Sequence, residues 1–283
     1  MSSLKRNTGL IMMSALALPL ALRDVANAAD VNAMDSEATV PPSGQFDGER
    51  FGGWRGKLHD WEVMVGAGAI YGPKFEGSKD YKVMPVPFIS ATFNDYLRIS
   101  PGGLFIDAYK TENFTASVKG GYDFGRDESD SPHLRGLGDI DGGGILGGVI
   151  AYRMGPVELT AEIDKTFGGS DGLTGKLGAE VSHFAGQFMF SAGASATWAD
   201  KKHMKSYFGV TSDQSVRSGL ATYDAGAGFK RVDLSASVTY MVSENWFIRG
   251  QAEVGFLTGD ARKSPVVQKT TQPSVMMFVG YKF

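Results

Sequence analysis

Phe114-Thr115-Ala116-Ser117-Val118-Lys119-Gly120-Gly121-Tyr122-Asp123-Phe124 sets Phe114, Ala116, Val118, Gly120, Tyr122 and Phe124 against Thr115, Ser117, Lys119, Gly121 and Asp123. Strict alternation describes a strand with one apolar and one polar face, and this run is longer than the roughly five or six residues usual in soluble sheets. The pattern recurs. Val157, Leu159, Ala161 and Ile163 oppose Glu158, Thr160, Glu162 and Asp164; Phe188, Phe190, Ala192, Ala194, Ala196 and Trp198 oppose Gln187, Met189, Ser191, Gly193, Ser195 and Thr197. Trp246, Ile248, Gly250, Ala252, Val254 and Phe256 oppose Arg249, Gln251 and Glu253.

Segments of this length, separated by turn residues, are the sequence signature of a membrane β-barrel, with lipid on one face and the lumen on the other. A soluble sandwich also alternates. Here, however, Trp61, Tyr71, Phe93, Tyr96, Tyr122, Trp198, Tyr240, Trp246 and Tyr281 gather near segment ends, where an interfacial aromatic girdle needs them. The expected fold class is all-β: a transmembrane antiparallel up-and-down β-barrel of even strand number, twelve, with ten as the alternative.

Further strands are expected over 61–71, 82–93, 96–109, 144–154, 174–184, 223–242 and 275–283. The count comes to eleven, which conflicts with the even number expected when both ends lie in the periplasm. Two repairs give twelve: a split of 223–242 at Lys230-Arg231, or a weak strand before Trp61. The first puts the long segments 125–143 and 199–222 in the periplasm and the second puts them outside; the rule of short periplasmic turns and long outer loops favours the second.

The chain's two ends support export. Lys5 and Arg6 precede an apolar run from Leu10 to Leu22 and then Ala26-Asn27-Ala28, the three parts of a secretory signal peptide. Residues 1–28 are read as that signal, with cleavage after Ala28 or Ala29; the apolar run is too short to cross roughly 30 Å of hydrocarbon as a helix. Residues 29–60 show no sustained period and read as a flexible periplasmic lead-in, or else a plug; 61–283 read as the barrel. In the last strand Met277, Val279, Tyr281 and Phe283 share one parity, and Phe283 is taken as the assembly signal. The partners this implies are outer-membrane lipid and the barrel-assembly machinery, and the localisation is the outer membrane of a Gram-negative bacterium.

Composition narrows the function. The 283 residues contain 38 glycines and no cysteine, which suits many tight turns and removes lipoprotein acylation, disulfides and thiolate metal sites. Formal charge is −3; Lys5, Arg6 and Arg23 against Asp24 give the leader +2, leaving −5 on the remainder. That balance disfavours nucleic acid as a partner.

Chemistry is sparse. Four histidines, His59, His133, His183 and His203, lie in or beside connections. The run Gly136-Leu137-Gly138-Asp139-Ile140-Asp141-Gly142-Gly143-Gly144 lacks the Lys-Ser or Lys-Thr of a phosphate loop and the closing Glu of a calcium loop, so it reads as a glycine-rich turn. No catalytic residue, metal ligand or cofactor is expected. Lumen-facing charge is expected from Glu158, Glu162 and Asp164, with Lys176 and Glu180 on the next strand as cross-strand partners, and from Arg249 and Glu253. An acidic pore and a salt-bridged, closed interior are both compatible with this set.

Several spaced motifs carry a resemblance: Gly72-Pro73-Lys74-Phe75-Glu76-Gly77-Ser78, Pro85-Val86-Pro87, Phe124-Gly125-Arg126, Leu134-Arg135-Gly136-Leu137-Gly138-Asp139-Ile140-Asp141, Trp198-Ala199-Asp200, Ser206-Tyr207-Phe208-Gly209-Val210, Ser218-Gly219-Leu220, Ser264-Pro265 and Tyr281-Lys282-Phe283. In this order they resemble the MipA/OmpV family of outer-membrane proteins across 61–283. The resemblance implies a non-enzymatic barrel acting as a scaffold that links the outer membrane to murein-remodelling machinery, with a lytic transglycosylase, or a murein hydrolase and synthase complex, as partner. A porin-like diffusion channel or an adhesin is the alternative. It supplies no catalytic residue. Tyr207, Phe208 and Val210 form an apolar patch in a connection rich in Lys201, Lys202, Lys205 and Arg217; it either tucks into the barrel mouth or meets a partner.

Overall fold

The computed structural model describes residues 61–93 and 96–283; the expected signal peptide and lead-in lie outside the described residues. Twelve strands form a closed antiparallel barrel, each paired with its neighbours in sequence and the last with the first. They are β1 (Trp61–Pro73), β2 (Tyr81–Phe93), β3 (Leu97–Ser100), β4 (Gly103–Lys110), β5 (Phe114–Asp123), β6 (Gly143–Met154), β7 (Val157–Gly168), β8 (Leu173–Ala185), β9 (Phe188–Ala199), β10 (Gly228–Met241), β11 (Trp246–Leu257) and β12 (Thr271–Lys282). Closure leaves both termini of the sheet paired, in a register running from Met64 opposite Lys282 to Tyr71 opposite Val275. The Phe283 amide extends it by donating to the Val63 carbonyl at 2.9 Å.

Strand number twelve holds, but neither expected repair supplies the missing strand. The 96–109 stretch is two strands, β3 and β4, separated by Pro101-Gly102. Both halves alternate, which disguised the turn. The 223–242 stretch is not split at Lys230-Arg231; β10 runs through it, with a register shift between Phe229 and Arg231. That bulge places the successive cations Lys230 and Arg231 both on the inner face, where each is buried.

Alternation sorts the residues as a membrane requires. Ile163, Leu177, Val279 and Met277 face outward and are exposed, while Asp164, Phe278 and Arg249 face inward and are buried. Exposed aromatics fall in two belts: Tyr96, Tyr109, Tyr152, Phe188 and Trp246 at the end bearing the termini, and Tyr71, Tyr122, Phe167, Phe229 and Phe256 at the other. The turns at the termini end are short. The connections after β5, β9 and β11 are long and lie at the opposite end, with helices α1 (Lys201–Phe208), α2 (Ser212–Ser218) and α3 (Gly259–Lys263). Short turns face the periplasm in such barrels, so the termini end is periplasmic and the long connections face outward.

Candidate functional site

The long connections fold inward and form a cap over the barrel mouth. Asp200 starts α1 by accepting the His203 amide at 2.9 Å, and Thr211 and Gln214 form a capping box on α2. One buried cluster joins Ala199, Met204, Tyr207, Phe208, Ala225 and Ala261; another joins Phe75, Leu134, Leu137, Val210 and Val266. Tyr207, Phe208 and Val210 are therefore interior, with exposures of 4%, 0% and 3%. They tuck into the mouth and offer no contact surface to a partner.

Polar groups fasten the cap to the wall. The Tyr207 hydroxyl lies 3.0 Å from both carboxylate oxygens of Asp123 on β5, and Arg126 donates to the Tyr207 carbonyl at 2.9 Å. Lys230 sits 3.0 Å from Glu76 Oε2 and 3.1 Å from His203 Nε2. The Ser264 hydroxyl donates to the Phe208 carbonyl at 2.6 Å. Most segments that carry the family resemblance thus meet in this cap. The glycine-rich turn does too: the Gly136 and Gly138 amides donate to Glu128 Oε2 at 2.9 and 3.0 Å, so a carboxylate of the chain itself fills the anion-accepting position.

Below the cap ion pairs line the lumen wall. Lys119 on β5 bonds Glu162 and lies 2.8 Å from Asp164 Oδ2, both two strands away on β7. The reach is possible because Gly147 stands between them in the same row: a Cβ there would fall 1.9 Å from the Asp164 carboxylate. Arg231 bonds Asp233 and, at 2.8 Å, Glu253. Of the expected lumen charges, Glu162, Asp164 and Glu253 sit in these clusters. Glu158 takes Arg153 at 2.8 Å, and Glu180 accepts from the Ser182 hydroxyl at 3.2 Å. Glu162 and Lys176 face each other in the register. The cations Lys119, Arg231 and Lys230 escaped the sequence reading of the site. Lys119 was legible as a polar-face residue, but its partners lie one strand further than nearest-neighbour pairing reaches.

Toward the termini end the lumen opens into a small solvent-connected cavity lined by Glu158, Lys176, Glu180, Ser237, Arg249 and Gln251 among others. A separate buried cluster sits on the inner side of β1, β2, β11 and β12, where Phe88 stacks on Phe278 at 5.0 Å and meets Phe247 edge-on at 6.2 Å, with Met64 beside them.

Two of the histidines are engaged within the cap. His203 is fully buried, stacked on Tyr207 at 4.5 Å, and His133 bonds the Pro265 carbonyl at 3.1 Å. Among the described residues no group of three or more His, Asp or Glu is placed to hold a metal ion.

The family model for "MltA-interacting protein MipA" matches residues 65–283. The chain belongs to the MipA family. The MltA-interacting protein of Escherichia coli (strain K12) is 26% identical over 231 residues, covering 79% of this chain and 90% of the relative. The protein of the same name from Shigella flexneri matches to the same extent. Among solved structures, the NanC porin aligns with a TM-score of 0.42 at 8% identity, over 78% of this chain and all of that one. A COG4313 outer membrane channel from Pseudomonas putida F1 aligns at 0.38 and 11% identity, over 79% of this chain and 94% of that one. The MipA-family chain is an outer-membrane β-barrel, and the residues its family model spans include the whole cap and the lumen ion pairs.

Proposed function

We propose that this protein is a non-enzymatic outer-membrane scaffold that engages murein-remodelling machinery, with a lytic transglycosylase as partner, through its periplasmic turn face. Membership of the family named for MltA-interacting proteins carries the reading. Burial of the cap supports a contact at the turn face. Tyr207, Phe208 and Val210 belong to the buried cap at the outward end, whereas murein lies on the other side. The surface the described residues leave for a periplasmic partner is the set of short turns, with exposed Glu112, Gln187 and Glu244.

The packed cap over the outward mouth argues against the alternative of a freely conducting channel. The test uses the full mature protein in nanodiscs, titrated with a purified membrane-bound lytic transglycosylase and, separately, inserted in planar bilayers. Saturable binding without steady conductance is expected. Absence of binding, with current steps that shift when Glu158 and Glu162 become Gln, identifies a pore instead.

A further inference from the structure

One stretch of the lumen wall is hollow because its middle strands carry short side chains. On β8, β9 and β10 the inward residues at this level are Gly178, Ser191, Gly193, Ser195, Ser235 and Ser237. The register sets them in rows, with Gly178 opposite Ser195, Gly193 opposite Ser235 and Ser191 opposite Ser237. Long polar side chains flank them: Glu158 on β7 opposite Glu180 on β8, and Arg249 and Gln251 on β11. Short side chains between long ones leave the small solvent-connected cavity, and all of these residues line it.

The lining is polar, and the chain itself does not satisfy all of it. Among the lining residues Ala179 and Ala194 carry the largest apolar side chains, so the surface suits a ligand without apolar bulk. Ser237 lines the cavity at 7% exposure, and its hydroxyl has no hydrogen-bond partner among the described residues. One row nearer the termini end, Thr239 lies opposite Arg249 and is buried with its hydroxyl in the same condition. A buried hydroxyl is costly to leave without a partner, so this end of the hollow calls for a polar group from outside the chain.

Charge is divided across the hollow. On the β7–β8 flank Glu158 and Glu180 stand directly opposite each other, a like-charge pair that sheets disfavour. Arg153 answers Glu158 at 2.8 Å, and Glu180 accepts the Ser182 hydroxyl at 3.2 Å. On the far flank Arg249 donates to Gln251 Oε1 at 3.3 Å, with β9 and β10 between it and Glu180. Lys176 and Asp233 bound the cavity on the side of the cap, where Asp233 is bonded to Arg231.

We infer that this hollow binds a small zwitterion, a molecule with an ammonium and a carboxylate on a short polar frame, as in a free amino acid with a small side chain. The ammonium takes the Glu158–Glu180 flank, where a cation relieves the like-charge pair. The carboxylate takes Arg249, whose guanidinium suits it geometrically, with the Ser237 hydroxyl as a further donor. A simple cation or anion leaves one flank unanswered, and a neutral polyol answers neither charge. The packed cap covers the outward mouth, so entry is from the periplasmic end. The site is separate from the turn face proposed for a murein enzyme, and the failure of either leaves the other standing.

The experiment measures binding of radiolabelled serine to the full mature protein in detergent micelles by equilibrium dialysis. Ethanolamine, glycolate and glycerol serve as competitors, keeping the ammonium, the carboxylate or neither. Saturable serine binding is expected, displaced several-fold less effectively by each of the three than by unlabelled serine. Arg249→Gln and Ser237→Ala should each weaken it several-fold, and Ser235→Leu, which fills the hollow, should abolish it. Leu177→Ala, on the outward face of β8, should leave it unchanged. No saturable binding, displacement by glycerol or by either half-molecule as effective as by serine, or binding unaltered by Ser235→Leu overturns the site; if the inward variants fail to assemble, the wild-type competition decides alone.

Discussion

Tyr207 is where one side chain does most to hold the cap, through its hydroxyl on Asp123 and its ring against His203. Tyr207→Phe keeps the ring and removes a hydrogen bond to a carboxylate, a loss of about 1.5–3 kcal/mol. Because the cap opens locally, the expected readout is faster proteolytic cutting within 200–227 while the heat-modifiable barrel is retained; unchanged cutting would show that the cap does not rest on this bond. Asp130, in the connection after β5, has a carboxyl that burial pushes up to about 6, against the pull of Lys82. The folded state keeps this proton where the unfolded chain has lost it, so the stability is present in acid and is lost as pH rises through about 6. Asp130→Asn should raise the thermal unfolding midpoint at pH 8 and leave it near wild type at pH 4. An equal effect at both pH values contradicts the assignment. Sequence alone did not reveal either role: alternation tells which face a strand residue takes, but nothing in Ser206-Tyr207-Phe208 tells whether an apolar patch in a connection is covered.

Elements were more legible than residues, because lipid outside and water inside impose a period that few other environments impose. The two places where the element reading failed each carried a local signal that the period outweighed. Pro101-Gly102 is a turn dipeptide inside what alternation presents as one strand. Lys230-Arg231 looks like a break because two charges in succession violate alternation; the chain accommodates them with a bulge that turns both inward. Pro85 and Pro87 are a third such signal: only Ala91, Thr92 and Phe93 of β2 pair with β3, so among the described residues the prolines fall on an edge with no ladder partner opposite β1. Replacing both with Val restores two amide donors to that edge. The expected result is a rise in SDS-resistant dimers and higher species on unheated gels, as exposed edges gain the ability to pair; a monomeric band indistinguishable from wild type would show that the edge is covered by other means.

At the scale of the whole molecule the barrel is asymmetric along its axis: a packed cap outward, an ion-paired layer beneath it, and a polar, charge-lined cavity toward the periplasm. The lumen charges were readable as a set from strand parity, yet not their pairing, because Lys119 reaches Asp164 over Gly147 across an intervening strand. Which end meets a partner was the least legible property, since it depends on strand count and the count turned on one two-residue turn. The asymmetry makes the scaffold account directional, and photo-crosslinking in living cells tests it most directly. A photoreactive residue placed at Glu112, Gln187 or Glu244 on the turn face should capture a lytic transglycosylase, and one at Val216, exposed on α2 of the cap, should not. Capture of that enzyme from Val216 with none from the three turn positions would contradict the account.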